Sequence, residues 1–327
     1  DQCDGCGSLL DPTDLINPRS SLNPSDTLEL RSTKHLFLDL PNLQPKVKQW
    51  TDNLKNPSKV VSGIIRKWLE EGLDQRCITR DLNWGISVPK PGYESKVFYV
   101  WFDAPNGYIS ITMDWAIKIG EPDAWQNWWY NAKDVHYTQF MAKDNVPFHA
   151  VMWPAILLGT AQNWTMVDYI KGFNWLNYEG GKFSTSQKRG VFTDKALELF
   201  PADYWRYYLM ANVPESNDAD FSFSEFANTI NHDLADSLGN FISRVLTLLE
   251  KYFSSQVPEH NQSTVNKELF TKVQAACEAI DKAHDELKYR EVINNMRLLW
   301  AYGNEYITQQ QPWSVIKHNP EKAGHIL

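Results

Sequence analysis

Residues 96–105 read KVFYVWFDAP, a continuous apolar run closed by Asp-Ala-Pro. Its length, with its β-branched and aromatic content, predicts a strand buried on both faces, as in a parallel sheet. Downstream, HYTQFMAKDNVPFHAVMWPAILLG (136–159) predicts a strand, a loop and a helix. DYIKGFNWLNYEGGKFSTS (168–186) predicts a strand pair running into a glycine-rich loop. Upstream, Val60, Val61, Ile64, Ile65, Trp68, Leu69 and Leu73 recur at three- and four-residue intervals. That spacing predicts a helix over 59–73 with Ser58 as its N-cap. Strands alternating with helices imply α/β architecture for this part of the chain.

Beyond about Phe223 the pattern changes. Residues 224–253 and 267–306 are helix-periodic and nearly free of Gly and Pro, which predicts an α-helical second part. The expected fold is therefore α/β followed by α, with the boundary between Phe200 and Glu225. No internal repeat or low-complexity tract interrupts it.

The 327 residues are 43% hydrophobic and carry a net charge of −8. That content suits a sizeable core, and that charge argues against a protein that coats nucleic acid generally, while leaving room for a local basic groove. No apolar run is long enough to span a bilayer, and the first residues have no cationic and apolar leader. Four cysteines make no dense disulfide framework, so a reducing cytoplasm is the simplest setting. Cys3 and Cys6 have the spacing of one arm of a zinc knuckle, or are simply two free thiols. Cys77 and Cys277 each stand alone, and His35 is a candidate third ligand. The absence of an initial Met suggests a piece of a longer chain, with the knuckle's missing arm upstream.

Residues 180–190, GGKFSTSQKRG, set three cations and three hydroxyls on a loop with little to bury. Such groups suit a phosphate tail, where cations and backbone amides offset charge that develops during phosphoryl transfer. A solvated surface loop has the same composition.

This loop resembles the Lys-Met-Ser-Lys-Ser loop of class I aminoacyl-tRNA synthetases. With RCITRDLNWGISVP, KVFYVWFDAPNGYIS, FMAKDNVPFHAVMWPA, PADYWRYYLM and LGNFISRVL, the chain resembles the methionyl-tRNA synthetase family over essentially its whole length. The resemblance implies ATP-dependent activation of methionine to methionyl-adenylate and transfer to tRNA(Met), with Mg²⁺ on the pyrophosphate and Zn²⁺ possible at a completed knuckle. It implies a Rossmann-like catalytic domain and an anticodon-binding helical bundle. The parts would be a connective-domain remnant (1–79), the C-terminal half of the catalytic domain (80–181), the loop and a linking segment (182–224) and part of the bundle (225–327).

Carried over residue by residue, Lys182, Lys188 and Arg189 would be catalytic. Lys182, Ser184, Ser186 and Lys188, with Asp144 and Arg80, would bind ATP. Trp101, Ala104, Pro105, Tyr108, Asn145, His149 and Trp153 would hold methionine. Asn240 and Arg244, four apart on one helix face, would read an anticodon base with Trp313 stacked beside it. Two departures stand out. The family's His-Ile-Gly-His signature is not found, so these residues alone are expected to be inert. Thr185 also occupies the family loop's second lysine position, leaving Lys188 to supply the charge.

Other readings are a leucine-, isoleucine- or valine-specific relative and a non-catalytic tRNA-binding module. Membership of a multisynthetase assembly is not legible in these residues.

Overall fold

In the computed structural model, which describes residues 12–20, 23–55, 57–259 and 266–327, short strands alternate with helices as far as Phe221 and helices alone follow. The chain divides by packing into two compact units after Gly172.

In the first unit, β1 (Phe37–Leu38) leads into α1 (Leu40–Thr51) and α2 (Lys59–Glu71). Ser58 caps α2, its hydroxyl accepting from the Val61 amide, as the spacing predicts. Val61, Ile65 and Leu73 are buried. β2 (Arg76–Cys77) pairs antiparallel with β1, and β3 (Thr79–Arg80) pairs antiparallel with β4 (Val97–Phe98).

Here the structure corrects the reading of residues 96–105. Only Val97 and Phe98 are strand. Tyr99 is the N-cap of α3 (Val100–Asp103), and a 3-10 turn over Ala104–Asn106 leads into α4 (Gly107–Lys118). Val100 is 61% exposed, so this is not a strand buried on two faces. Periodicity cannot separate a short apolar strand from a helix, and Pro105 suits a helical first turn.

α5 (Gln126–Trp129) precedes β5 (Thr138–Ala142), a 3-10 turn at Lys143–Asn145, a π-helical turn at Phe148–Met152 and α6 (Trp153–Gly159). The predicted strand, loop and helix are thus present, with extra turns between them. β6 (Tyr169–Phe173) lies beside β5. Val61, Ile65, Trp153 and Ile170 belong to one core cluster, and Leu40, Val47, Phe148 and Met152 to another.

In the second unit, β7 (Leu176–Tyr178) and β8 (Gly181–Lys182) form a hairpin. α7 (Thr193–Leu199) and α8 (Ala202–Ala211) connect it to β9 (Ala219–Phe221), which pairs in parallel with β7, Leu176 opposite Ala219. Trp205, Tyr208, Phe221, Phe226 and Ile230 form the core beneath this sheet. That core joins strand and helix residues, so the packing division and the compositional change near Phe223 fall at different places.

The helices that follow are α9 (Phe223–Thr229), a π-helical stretch (Ile230–Gly239), α10 (Asn240–Phe253), α11 (Lys267–Asp285), α12 (Tyr289–Gln310), α13 (Pro312–Val315) and α14 (Pro320–Ile326). Leu249 on α10 is buried, and Leu238, Phe241, Val245 and Leu248 are half-buried. No described helix is long and apolar enough to cross a membrane.

Candidate active site

The richest side-chain constellation of the first unit grows from the corrected segment. α3 carries Trp101, the following turn carries Ala104 and Pro105, and the first turn of α4 carries Tyr108. The turns between β5 and α6 supply Asp144, Asn145 and His149, and Trp153 opens α6. Tyr108 Oη lies 2.9 Å from His149 Nε2, and His149 Nδ1 lies 3.0 Å from the Asn145 carbonyl oxygen.

A carbonyl only accepts, so Nδ1 carries the hydrogen and Nε2 accepts from the Tyr108 hydroxyl. Burial lowers the His149 pKa, outweighing the opposing effect of the Asn145 carbonyl, and keeps the ring neutral. Burial also raises the Tyr108 pKa, so its hydroxyl remains a donor.

Aromatic rings wall this hydrogen-bonded chain. Trp153 is tilted against Tyr108 at 5.5 Å, and Trp101 stacks on Phe148 at 5.0 Å. Trp153 is 1% exposed, and its indole N–H has no hydrogen-bond partner among the described residues. Trp101 and Tyr108 are partly open to solvent, Pro105 is buried, and Ala104 and Asp144 are exposed. Asp144 accepts from the Asn145 side-chain amide at 3.4 Å.

Three neighbours escaped the sequence reading. Phe148 stacks on Trp101, and Tyr137 meets Trp153 edge-on at 6.4 Å. The Gln139 amide donates to Tyr137 Oη at 2.6 Å. Alternation along HYTQFMA places Tyr137 and Gln139 on one side of β5, and that was the available signal. Arg80 is placed elsewhere: its guanidinium covers the Tyr99 ring at 4.0 Å and donates to the Thr79 carbonyl at 2.9 Å.

In the second unit, loop 180–190 contains β8 and a further turn beyond it, the β7–β8 hairpin itself closing at Glu179–Gly180. Ser184 and Arg189 exchange both backbone hydrogen bonds at 2.9 Å, and the Lys188 amide donates to the Thr185 carbonyl. Lys188 adopts a left-handed backbone (φ 52°) and is exposed. Gly190, at φ 131°, lets Phe183 lie against the backbone, where a Cβ would come within 2.3 Å of the ring. The Arg189 guanidinium donates to the Tyr178 and Glu179 carbonyls at 2.7 and 2.9 Å. Lys182 Nζ sits 4.0 Å over the Trp175 ring. The Ser184 and Ser186 hydroxyls are 3.2 Å apart.

Among the helices, the structure brings Arg244 and Trp313 together, the guanidinium 5.2 Å from the ring centre. Arg244 also donates to Asn304 and Thr308 on α12, at 3.4 and 3.1 Å. Those two acceptors, four residues apart on one helix face, were not singled out in the sequence. Asn240 opens α10 and is exposed.

Cys3 and Cys6 lie outside the described residues. Cys77 donates to the Thr79 carbonyl, Cys277 is exposed, and His35 is taken up by Thr79 and Asp81. No group of three or more His, Cys, Asp or Glu suited to a metal occurs among the described residues, so these residues do not by themselves make the zinc site.

Comparison with known proteins agrees across the chain. A family profile described as tRNA synthetases class I (M) matches residues 1–246, and one described as the anticodon binding domain of methionyl tRNA ligase matches residues 257–327. The methionine–tRNA ligase of Streptomyces avermitilis is 51% identical over all of this chain and 59% of its own length. Methionine–tRNA ligase 1 of Acaryochloris marina is 49% identical, over all of this chain and 58% of its own. The chain thus spans about three-fifths of the curated relatives it matches. The crystal structure of Mycobacterium tuberculosis methionyl-tRNA synthetase bound by methionyl-adenylate superposes with a TM-score of 0.72 at 24% identity, covering 89% of this chain and 56% of that one, and shows the shared fold. On this evidence the chain belongs to the class I tRNA synthetases, in their methionine (M) group.

Proposed function

We propose that the protein containing this chain is a methionine–tRNA ligase, which activates methionine with ATP and passes it to tRNA(Met). The observation that carries the reading is the Tyr108–His149–Asn145 hydrogen-bonded chain between Trp101 and Trp153, in a sequence about half identical to methionine–tRNA ligases. An unbranched thioether fits a narrow aromatic slot, and sulfur against aromatic rings contributes about 0.3–1.5 kcal/mol per contact. Tyr108 is the adjustable donor of the site. His149 is neutral with its hydrogen held on Nδ1, so its Nε2 can only accept. A tyrosine hydroxyl that turns to a sulfur favours methionine over apolar side chains that cannot accept it.

In the activation step, the methionine carboxylate attacks the α-phosphorus of ATP. The bond to pyrophosphate breaks and pyrophosphate leaves; Mg²⁺, when bound, would offset part of its charge. Lys182 and Lys188 offset the charge of the pyrophosphate, and Ser184 and Ser186 would donate to its oxygens. Arg189, tied to two carbonyls of the hairpin, holds the loop's shape. Asp144, exposed beside the pocket, suits the ATP ribose, and Arg80 is a further candidate on the nucleotide side. A terminal tRNA hydroxyl then attacks the methionyl carbonyl and AMP leaves, while Asn240, Arg244 and Trp313 serve anticodon recognition. Zn²⁺ would be held by Cys3 and Cys6 with ligands from outside this chain, and no step passes through it. A cytoplasmic setting follows from the function.

The names of the relatives favour methionine over leucine, isoleucine or valine. Thr185 is the one feature that favours a non-catalytic tRNA binder. Lys188→Ala in the whole gene product separates the readings. Methionine-dependent ATP–pyrophosphate exchange is expected to fall about 10²-fold, the usual cost of one preorganised charge-stabilising group. Absence of exchange from the unaltered protein would sink the enzyme reading.

A further inference from the structure

The core side of β5 carries a residue that packing does not call for. Gln139 is 5% exposed, between the exposed Thr138 and Phe140. Its Nε2 donates to Tyr137 Oη at 2.6 Å, and its Oε1 has no hydrogen-bond partner among the described residues. A half-satisfied amide in a core is destabilising, and an apolar side chain of similar size would serve the fold as well or better. Sequences break such a rule where function requires it.

The amide holds a ring that lies between two others. Tyr137 meets Trp129 edge-on at 5.0 Å and Trp153 edge-on at 6.4 Å. Trp153 is in turn tilted against Tyr108 at 5.5 Å. On the other side, the Trp129 indole donates to Thr112 Oγ1 at 2.8 Å, and the Thr112 hydroxyl donates to the Tyr108 carbonyl at 2.9 Å. These contacts make a closed circuit, from Tyr108 through Trp153, Tyr137, Trp129 and Thr112 back to Tyr108.

One member of the circuit lacks a polar anchor. The Trp153 indole N–H has no hydrogen-bond partner among the described residues, so the rings packed against it set its orientation. Tyr137, by contrast, is fixed at both ends. Its amide donates to Asp168 Oδ2 at 3.0 Å, its carbonyl accepts from the Asp168 amide at 2.9 Å, and its hydroxyl accepts from Gln139. An edge-to-face contact depends on the angle between the rings. The bond to Oη, at the far end of the phenol, stops it swinging about its Cα–Cβ bond.

We propose that Gln139 is a positioning residue for methionine: through Tyr137 it holds Trp153 at the angle that keeps the aromatic slot narrow beside Tyr108. The inference rests on the ligase reading above. Gln139 acts through the shape of the slot, so its loss is felt in the binding of methionine and in the choice between methionine and a longer thioether. The binding of ATP and the chemical step do not depend on it.

The test uses the whole gene product in ATP–pyrophosphate exchange, with methionine and its S-ethyl analogue ethionine as substrates. Gln139→Leu is expected to raise the KM for methionine about 3- to 10-fold, the scale of one oriented aromatic contact, with kcat and the KM for ATP unaffected. The KM for ethionine is expected to rise less, so discrimination narrows. Tyr137→Phe keeps the ring, removes only the hydroxyl and is expected to do the same. The double variant should lose no more than either single one, as for two ends of one bond. A purely structural role reads differently, since a smaller folded fraction lowers kcat and leaves each KM where it was. That outcome would overturn the proposal, as would an unchanged methionine KM in either variant, or losses that add in the double variant. Should Gln139→Leu not fold, Tyr137→Phe decides by the same reading. An unaltered protein without exchange defeats the ligase reading and this proposal together, whereas an active protein whose methionine KM is indifferent to both changes defeats only the positioning.

Discussion

His149 is the residue on which the aromatic site turns. It is 6% exposed, its Nδ1 hydrogen is fixed on the Asn145 carbonyl, and burial lowers its pKa from the ordinary 6.5. The neutral form is therefore native from high pH down to that lowered value. Because the unfolded chain takes up the proton first, the stability associated with a neutral His149 is complete above about 6.5 and is lost as pH falls through the folded pKa. Protonation would also turn Nε2 from an acceptor into a donor facing Tyr108. The KM for methionine in exchange is thus expected to rise as the assay moves from about pH 8 towards about pH 5. His149→Gln should remove that inflection, and a profile identical in both proteins would exclude His149 as its source. The residue type was legible in FHAVMW, but its tautomer and partner were not. Those depend on a π-helical turn that brings Nδ1 back to the Asn145 carbonyl.

At the scale of elements, a buried ionic knot links α8, the π-helical stretch and α12. Asp233, 5% exposed, accepts from Arg297 at 2.5 and 2.9 Å and from Tyr207 Oη at 2.9 Å, and lies 2.9 Å from His232 Nδ1. Burial alone would raise the Asp233 pKa. Hydrogen bonds from His232, Arg297 and Tyr207 outweigh it and hold the carboxyl below the ordinary carboxylate range. Arg297→Ala would strand that buried charge, a loss of about 3–5 kcal/mol. Thermal unfolding of the second unit is expected several degrees lower, whereas the double change Asp233→Leu with Arg297→Met should recover most of the loss. A single variant with unaltered unfolding would show that the knot contributes little. The helices themselves were legible as periodic segments. The knot was not, because its members lie 26 and 64 positions from Asp233 in sequence. The short strand at Val97 was misjudged for a related reason. Its partners, at Thr79 and Ser87, and not its composition, decide how long it runs.

At the scale of the whole molecule, the proposed ligase chemistry separates into steps that need tRNA and steps that do not. Arg244 and Trp313 stack in the helical part, whereas Tyr108, His149 and Trp153 lie in the first unit. Trp313→Ala in the whole gene product is therefore expected to raise the KM for tRNA about 5- to 150-fold, since base stacking contributes about 1–3 kcal/mol per base, while exchange continues. Loss of exchange in step with charging would make Trp313 a structural residue of the bundle. The sequence profiles and the two compact units divide the chain at different places, near residues 246–257 and after Gly172. The parallel pair β7–β9 and its aromatic core tie strand residues to α8 and α9, so function and packing need not share a boundary.

From the sequence alone came the alternation of strands and helices, the Ser58 cap, the cationic loop and the identities of Trp101, Tyr108, His149 and Trp153. The alternation, the cap and the loop follow from local rules, namely side-chain periodicity, capping chemistry and residue type within a few positions, whereas the four aromatic-site residues follow from the resemblance to the methionyl-tRNA synthetase family. The tertiary structure decided what those groups do with one another. It bent residues 99–106 into helical turns, tied Arg189 to the Tyr178 and Glu179 carbonyls, and set the indole of Trp313 beside Arg244. Hydrogen bonds and burial between distant segments determine such outcomes, and no window of neighbouring residues contains both partners.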